Sequence, residues 1–141
     1  MSGFLLDTNI VSELVKPKPE PTVTAWIDST DETLLYLSVL TLGEIRKGIG
    51  LLRDASRRVV LEAWLDSDLI WRFVDRILPI DRAVADRWGR LTAEAAVAKS
   101  PLAVIDGLLA ATALDQNLTL VTRNTKDIVV TGVPVFNPWN N

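Results

Sequence analysis

Short apolar runs recur along this 141-residue chain, and stretches with helical periodicity separate most of them. That alternation constrains the fold more than any other feature. Strands joined through helices pair in parallel, by right-handed crossovers. Residues 3–7 (GFLLD) read as a first, fully buried strand, and residues 34–40 (LLYLSVL) as a second. Residues 77–80 (ILPI), 118–122 (LTLVT) and 133–136 complete the set, with Pro79 placing the third at a sheet edge or strand start. Helices are expected over residues 9–15, from Pro21 through Trp26 and Ile27, and over 41–52, where Leu42, Ile45, Ile49 and Leu52 share one face. A long amphipathic helix is expected over 56–76, broken near Asp68; Asp81 caps another running to about Lys99, and a last one covers 102–117. Pro17, Pro19 and Pro21 mark a loop, and no repeat or second domain is visible.

Composition narrows the chemistry. The chain is 48% hydrophobic, enough for a real core, and its net charge of −3 is unlike that of a basic nucleic-acid coat. It has no cysteine and no histidine, which excludes disulfides, thiol catalysis, histidine triads and cysteine-ligated zinc. Acid–base or metal chemistry must run on carboxylates, hydroxyls, amides, Lys or Arg, and oxygen-only ligation points to Mg²⁺ or Mn²⁺. No signal peptide and no span of roughly 20 apolar residues is seen, so the cytoplasm is the expected compartment, with no membrane partner.

Asp7 closes the first apolar run, and parallel sheets deliver ligand groups at the carboxyl ends of their strands. An acid there can be a metal ligand, a phosphate-handling nucleophile, a general base or an Asx-turn residue. Glu44 stands just past the second strand, where a helix dipole also favours an ordinary glutamate. Asp106 lies on the Leu102–Leu109–Ala113 stripe of a helix apolar all round, so it is expected to be buried and to need a cation or donors. After the fourth run, Thr122 and Asn124 offer uncharged oxygens. Asp127 is a fourth possible acid, but it lies further along and also reads as part of a polar loop.

The segments 5–14 (LLDTNIVSEL), 37–49, 101–114, 118–128 (LTLVTRNTKDI) and 135–139 (VFNPW) together resemble PIN-domain ribonucleases, and most of all VapC-type toxins of the FitB-like branch. The resemblance spans essentially the whole chain. It implies one three-layer α/β/α PIN domain over residues 1–141 with a central parallel β-sheet. It also implies a Mg²⁺- or Mn²⁺-binding site of Asp7, Glu44 and Asp106. Asn124 falls where relatives often carry a fourth acid, and Thr8, Asn9 and Thr122 match positions that shape the site. The implied activity is endoribonucleolytic hydrolysis, with tRNA or another structured RNA as the target class. Implied partners are a second copy of the chain and a VapB/FitA-like antitoxin that docks in a groove, blocks the site and supplies the operator-DNA contact.

On this reading Asp7 and Asp106 ligate the metal, Glu44 ligates or orients the attacking water, and Asn124 assists through water or substrate. Arg46, Lys47, Arg123 and Lys126 are candidate RNA-backbone contacts, with Arg53, Arg57 and Arg58 nearby. Trp64 and Trp71, seven apart, are expected to share a helix face. Two other readings stand beside this one. One is a non-catalytic PIN-fold binding module acting with a DNA-binding antitoxin. The other is an aspartyl-phosphate phosphotransferase using Asp7, against which Asn9 counts, since such enzymes often carry a second Asp there.

Overall fold

The computed structural model describes residues 2–140. Five strands form one parallel sheet in the order β3-β2-β1-β4-β5. β1 (Phe4–Leu6) is central, between β2 (Leu35–Ser38) and β4 (Thr119–Val121). β3 (Ile77–Leu78) and β5 (Val135–Phe136) are the edges, as Pro79 predicts for β3. The chain builds outward from β1 to β3, then returns to the other side of β1 for β4. The crevice beside β1 is therefore the topological switch point, where open parallel sheets bind ligands.

Alternate strand residues feed two cores, which makes three layers. Leu6, Leu35, Leu37 and Val121 point into one, packed with Ile10, Val23, Ile45, Leu65 and Phe73. Leu5 and Leu120 point into the other, packed with Leu109, Ala110, Ala113 and Ile128. The first core is covered by α1 (Thr8–Glu13), α2 (Pro21–Ser29), α3 (Val39–Gly50) and the helical stretch from α4 (Ala55–Ala63) to α5 (Ile70–Arg72). The second is covered by α6 (Arg82–Val97), α7 (Val104–Asp115) and α8 (Thr125–Ile128). α6 and α7 pack tightly because Gly107 has no side chain: a Cβ there would lie 3.0 Å from Trp88 Cδ1 and 3.0 Å from Leu102 Cδ2. None of the described helices is long and apolar enough to cross a membrane.

Local capping explains the boundaries. Pro21 opens α2, and Asp81 caps α6 through Val84 N at 2.9 Å, both as expected. The second strand stops at Ser38 rather than residue 40, because the Ser38 hydroxyl caps α3 through Leu40 N at 3.0 Å. The long helix does not break at Asp68. It widens into a π turn at Trp64–Leu69. The wider turn spoils the seven-residue spacing of the two tryptophans: Trp64 packs on the core while Trp71 is 71% exposed, so the shared face is not formed. α7 begins at Val104, not 102, because Ala103 remains extended.

Candidate active site

Asp7 leaves β1 as the N-cap of α1 and is 5% exposed. Each of its oxygens has a strong donor. Oδ1 accepts from Thr8 N at 2.7 Å, and Oδ2 accepts from the Thr122 hydroxyl at 2.7 Å, with Asn9 Nδ2 more distant at 3.4 Å. Thr122 follows β4 directly, is fully buried, and accepts from Asn124 N at 3.0 Å. One hydroxyl thus ties the acid of β1 to the loop that carries Asn124. Burial pushes the Asp7 carboxyl above its ordinary value. The Thr122 and Thr8 hydrogen bonds pull it back down, and the Glu44 charge adds to the rise.

Glu44, in the second turn of α3, accepts from the Thr8 hydroxyl at 2.5 Å through Oε1, leaving Oε2 without a protein donor among the described residues. Thr8 Oγ1 also lies 3.3 Å from the buried Thr41 hydroxyl. The late start of α7 corrects the reading of Asp106. It stands in the first turn of that helix and is half-buried, not enclosed in an apolar core. No side-chain hydrogen bond holds it among the described residues. Its carboxyl is raised first by burial, then by the charges of Asp7, Asp127 and Glu44.

Asp7, Glu44, Asp106 and Asn124 line one pocket of about 570 Å³, together with Thr8, Asn9 and Ser12. Four stretches of chain, from position 7 to 124, therefore meet at the carboxyl ends of β1 and β4. Among the described residues no three acids stand close enough to clasp one ion as placed. Like charges stand apart unless a cation lies between them. The donor set nonetheless fits a hard divalent cation. Every candidate ligand atom is oxygen, Glu44 raises the proton affinity of Asp7 and Asp106, and Asn9 Oδ1 is a further buried oxygen with no partner among the described residues.

None of the four predicted RNA-backbone cations lines this pocket. Arg46 pairs with Asp66 of the π turn, and the Arg123 guanidinium stacks 4.9 Å over the Trp139 ring. Arg57 and Arg58 donate to the carbonyls of Val15 and Leu52 at 2.7 and 2.6 Å, so both clip the backbone. Lys47 and Lys126 have no ion pair among the described residues, and Lys47 borders a groove that shares Glu44 with the pocket. Ser12 and the extended Ala103 escaped sequence reasoning. Ser12 sits four residues after Thr8 on α1, which is a legible helical spacing.

A second groove, lined by Val15, Ile45, Ile49, Leu52, Leu61 and Trp64, shares Thr8 and Glu44 with the acidic pocket.

Comparison with known proteins agrees with this fold. The PIN domain family model matches residues 4–130. The toxin FitB of Neisseria gonorrhoeae is 39% identical over 138 residues, covering 98% of this chain and 99% of that one. The VapC ribonuclease Y4jK of Sinorhizobium fredii is 33% identical, covering 96% and 97%. The tRNA(fMet)-specific endonuclease VapC of Shigella flexneri is 29% identical, covering 99% and 100%. The crystal structure of FitAcB from Neisseria gonorrhoeae superposes with a TM-score of 0.94 at 38% identity, over 98% of this chain and 99% of that one. The structure of FitAB bound to a DNA fragment does so with a TM-score of 0.92 at 38% identity, over 96% and 95%. A parallel sheet with acids gathered at its switch point, matched along its length by such relatives, places this chain in the PIN-domain family, within its FitB/VapC group.

Proposed function

We propose that this protein is the toxin of a type II toxin–antitoxin pair, a divalent-metal-dependent endoribonuclease whose targets are tRNA or other structured RNA. The observation that carries this is the meeting of Asp7, Glu44, Asp106 and Asn124 in one pocket at the switch point of the sheet. The names of the ribonuclease and tRNA-specific relatives support the substrate class.

Asp7 and Asp106 are the residues that would hold Mg²⁺, or Mn²⁺ in its place, with Glu44 as third acid. When bound, such an ion supplies Lewis acidity at the scissile phosphate and makes water a better nucleophile. The protein supplies orientation. Thr8 and Thr122 fix the Asp7 carboxylate from both sides. Thr8 holds Glu44 by one oxygen, so the other is free to accept the proton of the attacking water. Asn124, which lines the pocket, would hydrogen-bond a water or a phosphate oxygen, and Lys47 and Lys126, which have no ion pair among the described residues, would hold RNA backbone.

A VapB/FitA-like antitoxin is the partner, and contact with operator DNA comes through it. Its inhibitory segment would lie in the Val15–Trp64 groove, where Thr8 and Glu44 join groove to pocket, so an occupant there covers the acids. The FitAcB and FitAB–DNA structures of similar chains support this assembly. The toxin itself is proposed to form a homodimer in the cytoplasm.

The test is cleavage of total RNA by antitoxin-free protein. Activity is expected with Mg²⁺ or Mn²⁺, is stopped by EDTA, and is lost in Asp7→Asn and Asp106→Asn variants that remain folded. Cleavage that persists in EDTA and in both variants refutes the assignment.

A further inference from the structure

Asn124 stands just before the first residue of α8, where an asparagine side chain ordinarily caps the helix by accepting a backbone N–H. Here it makes no such bond, and the residue lines the acidic pocket instead. Something other than a cap must hold this turn. Part of the hold is local: Thr122 N donates to Phe136 O at 3.0 Å, and Asn124 N donates to the Thr122 hydroxyl at 3.0 Å. The rest falls to Arg123 between them. Its guanidinium carbon lies 4.9 Å from the centre of the Trp139 ring, and the guanidinium makes no hydrogen bond or ion pair among the described residues. The ring is a firm platform. Trp139 packs on the first core, its backbone N–H donates to Asn137 Oδ1 at 2.9 Å, and Pro138 beside it is buried. A buried acid of α1 adds to the anchor. Glu13, paired with Lys16 at 2.8 Å and accepting from Glu20 N at 2.9 Å, is held below its ordinary pKa first by Lys16 and, least, by the charge of Arg123.

We propose that Arg123 is a positioning residue: stacked on Trp139, it fastens the turn after β4 to the C-terminal segment and keeps the Asn124 amide at the pocket rather than on the end of α8. The inference rests on the nuclease reading above, in which Asn124 meets water or a phosphate oxygen. It takes Arg123 out of the set of RNA-backbone contacts, because a guanidinium committed to the ring serves the reaction through its neighbour. Trp139, remote from the acids in sequence, becomes part of the same support.

The experiment measures cleavage of total tRNA by the antitoxin-free full chain, tRNA affinity across salt concentrations, melting temperature, and hydrogen exchange at the Asn124 amide. The set is wild type, Arg123→Ala, Trp139→Ala, Trp139→Phe, Asn124→Ala, and Arg123→Ala combined with Asn124→Ala. Arg123→Ala and Trp139→Ala are each expected to lower kcat about fivefold with KM unchanged, and to quicken exchange at Asn124 by about the same factor, the scale of an exposed cation–ring stack. Trp139→Phe, which keeps a ring face, should lose less than Trp139→Ala. The slope of log affinity against log salt should not change in Arg123→Ala, whereas a phosphate contact would lower it by about 1. Once Asn124 is alanine, removing Arg123 should cost no further activity. A merely structural role would lower the melting temperature without splitting kcat from KM, and its cost would persist beside Asn124→Ala. A lowered salt slope, unchanged exchange at Asn124, or losses that multiply in the double variant overturn the inference while leaving the nuclease reading standing. Wild type that cleaves no RNA with Mg²⁺ or Mn²⁺ removes both.

Discussion

Replacing Asp106 by Asn is expected to make the metal-free protein more stable while abolishing its activity. The change keeps the shape of the side chain and, among the described residues, breaks no hydrogen bond. It removes a charge that half-burial and the neighbouring Asp7, Asp127 and Glu44 all disfavour. Water screens a half-exposed carboxylate, so each repulsion amounts to only a few tenths of a kcal/mol, and partial desolvation adds about as much as all three. The amino end of α7 favours the native charge by about 0.5 kcal/mol. The net gain is about 1 kcal/mol. For a chain of this length the unfolding entropy is about 0.3 kcal/mol per kelvin, so Tm should rise about 3 °C in EDTA at neutral pH and low salt.

The pH dependence has a definite sign. Because the folded state raises the Asp106 pKa, it binds more protons than the unfolded chain between the ordinary carboxylate value and the raised one. Wild-type stability from this group therefore falls as pH climbs through that window and is level above it. The advantage of the variant appears across the same window and is absent at more acid pH. Saturating Mg²⁺ or Mn²⁺ should reverse the order, since only wild type gains binding energy. Melting curves across pH, with EDTA and with metal, read all of this directly. A variant no more stable than wild type in EDTA at neutral pH would refute the view that these acids stand in mutual repulsion.

Thr122→Val should lose about 2 kcal/mol, or about 7 °C in Tm, because Asp7 Oδ2 loses its short donor and the Asn124 N–H its acceptor. It should also move the acid limb of the cleavage profile to higher pH; an unchanged melting curve would count against the role given to this hydroxyl. Lys47→Ala and Lys126→Ala should weaken RNA binding regardless of sequence, each lowering the slope of log affinity against log salt by about 1. Arg46→Ala, already paired with Asp66, should leave that slope alone, and equal effects from all three would show that these ion pairs do not decide RNA contacts.

Much of this site is legible in the residues alone. Asp7 shows itself by closing a buried apolar run and Asp106 by lying on an apolar helical stripe, whereas Glu44 alone reads as an ordinary first-turn glutamate and stands out only beside the other two. The three-layer fold comes partly from alternating periods and partly from family resemblance, and Pro79 correctly sends β3 to an edge. The misplacements share one cause. Periodicity identifies a face but not where a helix begins or how wide its turns are. Leu102 and Ala103 continue the apolar pattern of α7 while lying outside it, so periodicity assigns Asp106 to a buried stripe rather than to a first turn at a pocket wall. The π turn at Trp64–Leu69 rotates the helical residues after it, which is why Trp71 faces solvent.

The sequence by itself determined the class of chemistry. Without histidine or cysteine, any acid–base or metal chemistry was left to carboxylates, hydroxyls, amides, Lys or Arg, and the resemblance supplied the cation and the phosphate. Apolar periods of two and of 3.6 residues likewise dictated a parallel sheet under helices, because these are local consequences of side-chain type. Only the tertiary structure decided which polar groups act together. The Thr8 hydroxyl found Glu44 across 36 positions, Thr122 found Asp7 across 115, and the charge of Asp127 reached Asp106 from another helix. Such partnerships depend on strand order and helix packing, which bring distant segments within hydrogen-bond range and leave no trace in local spacing.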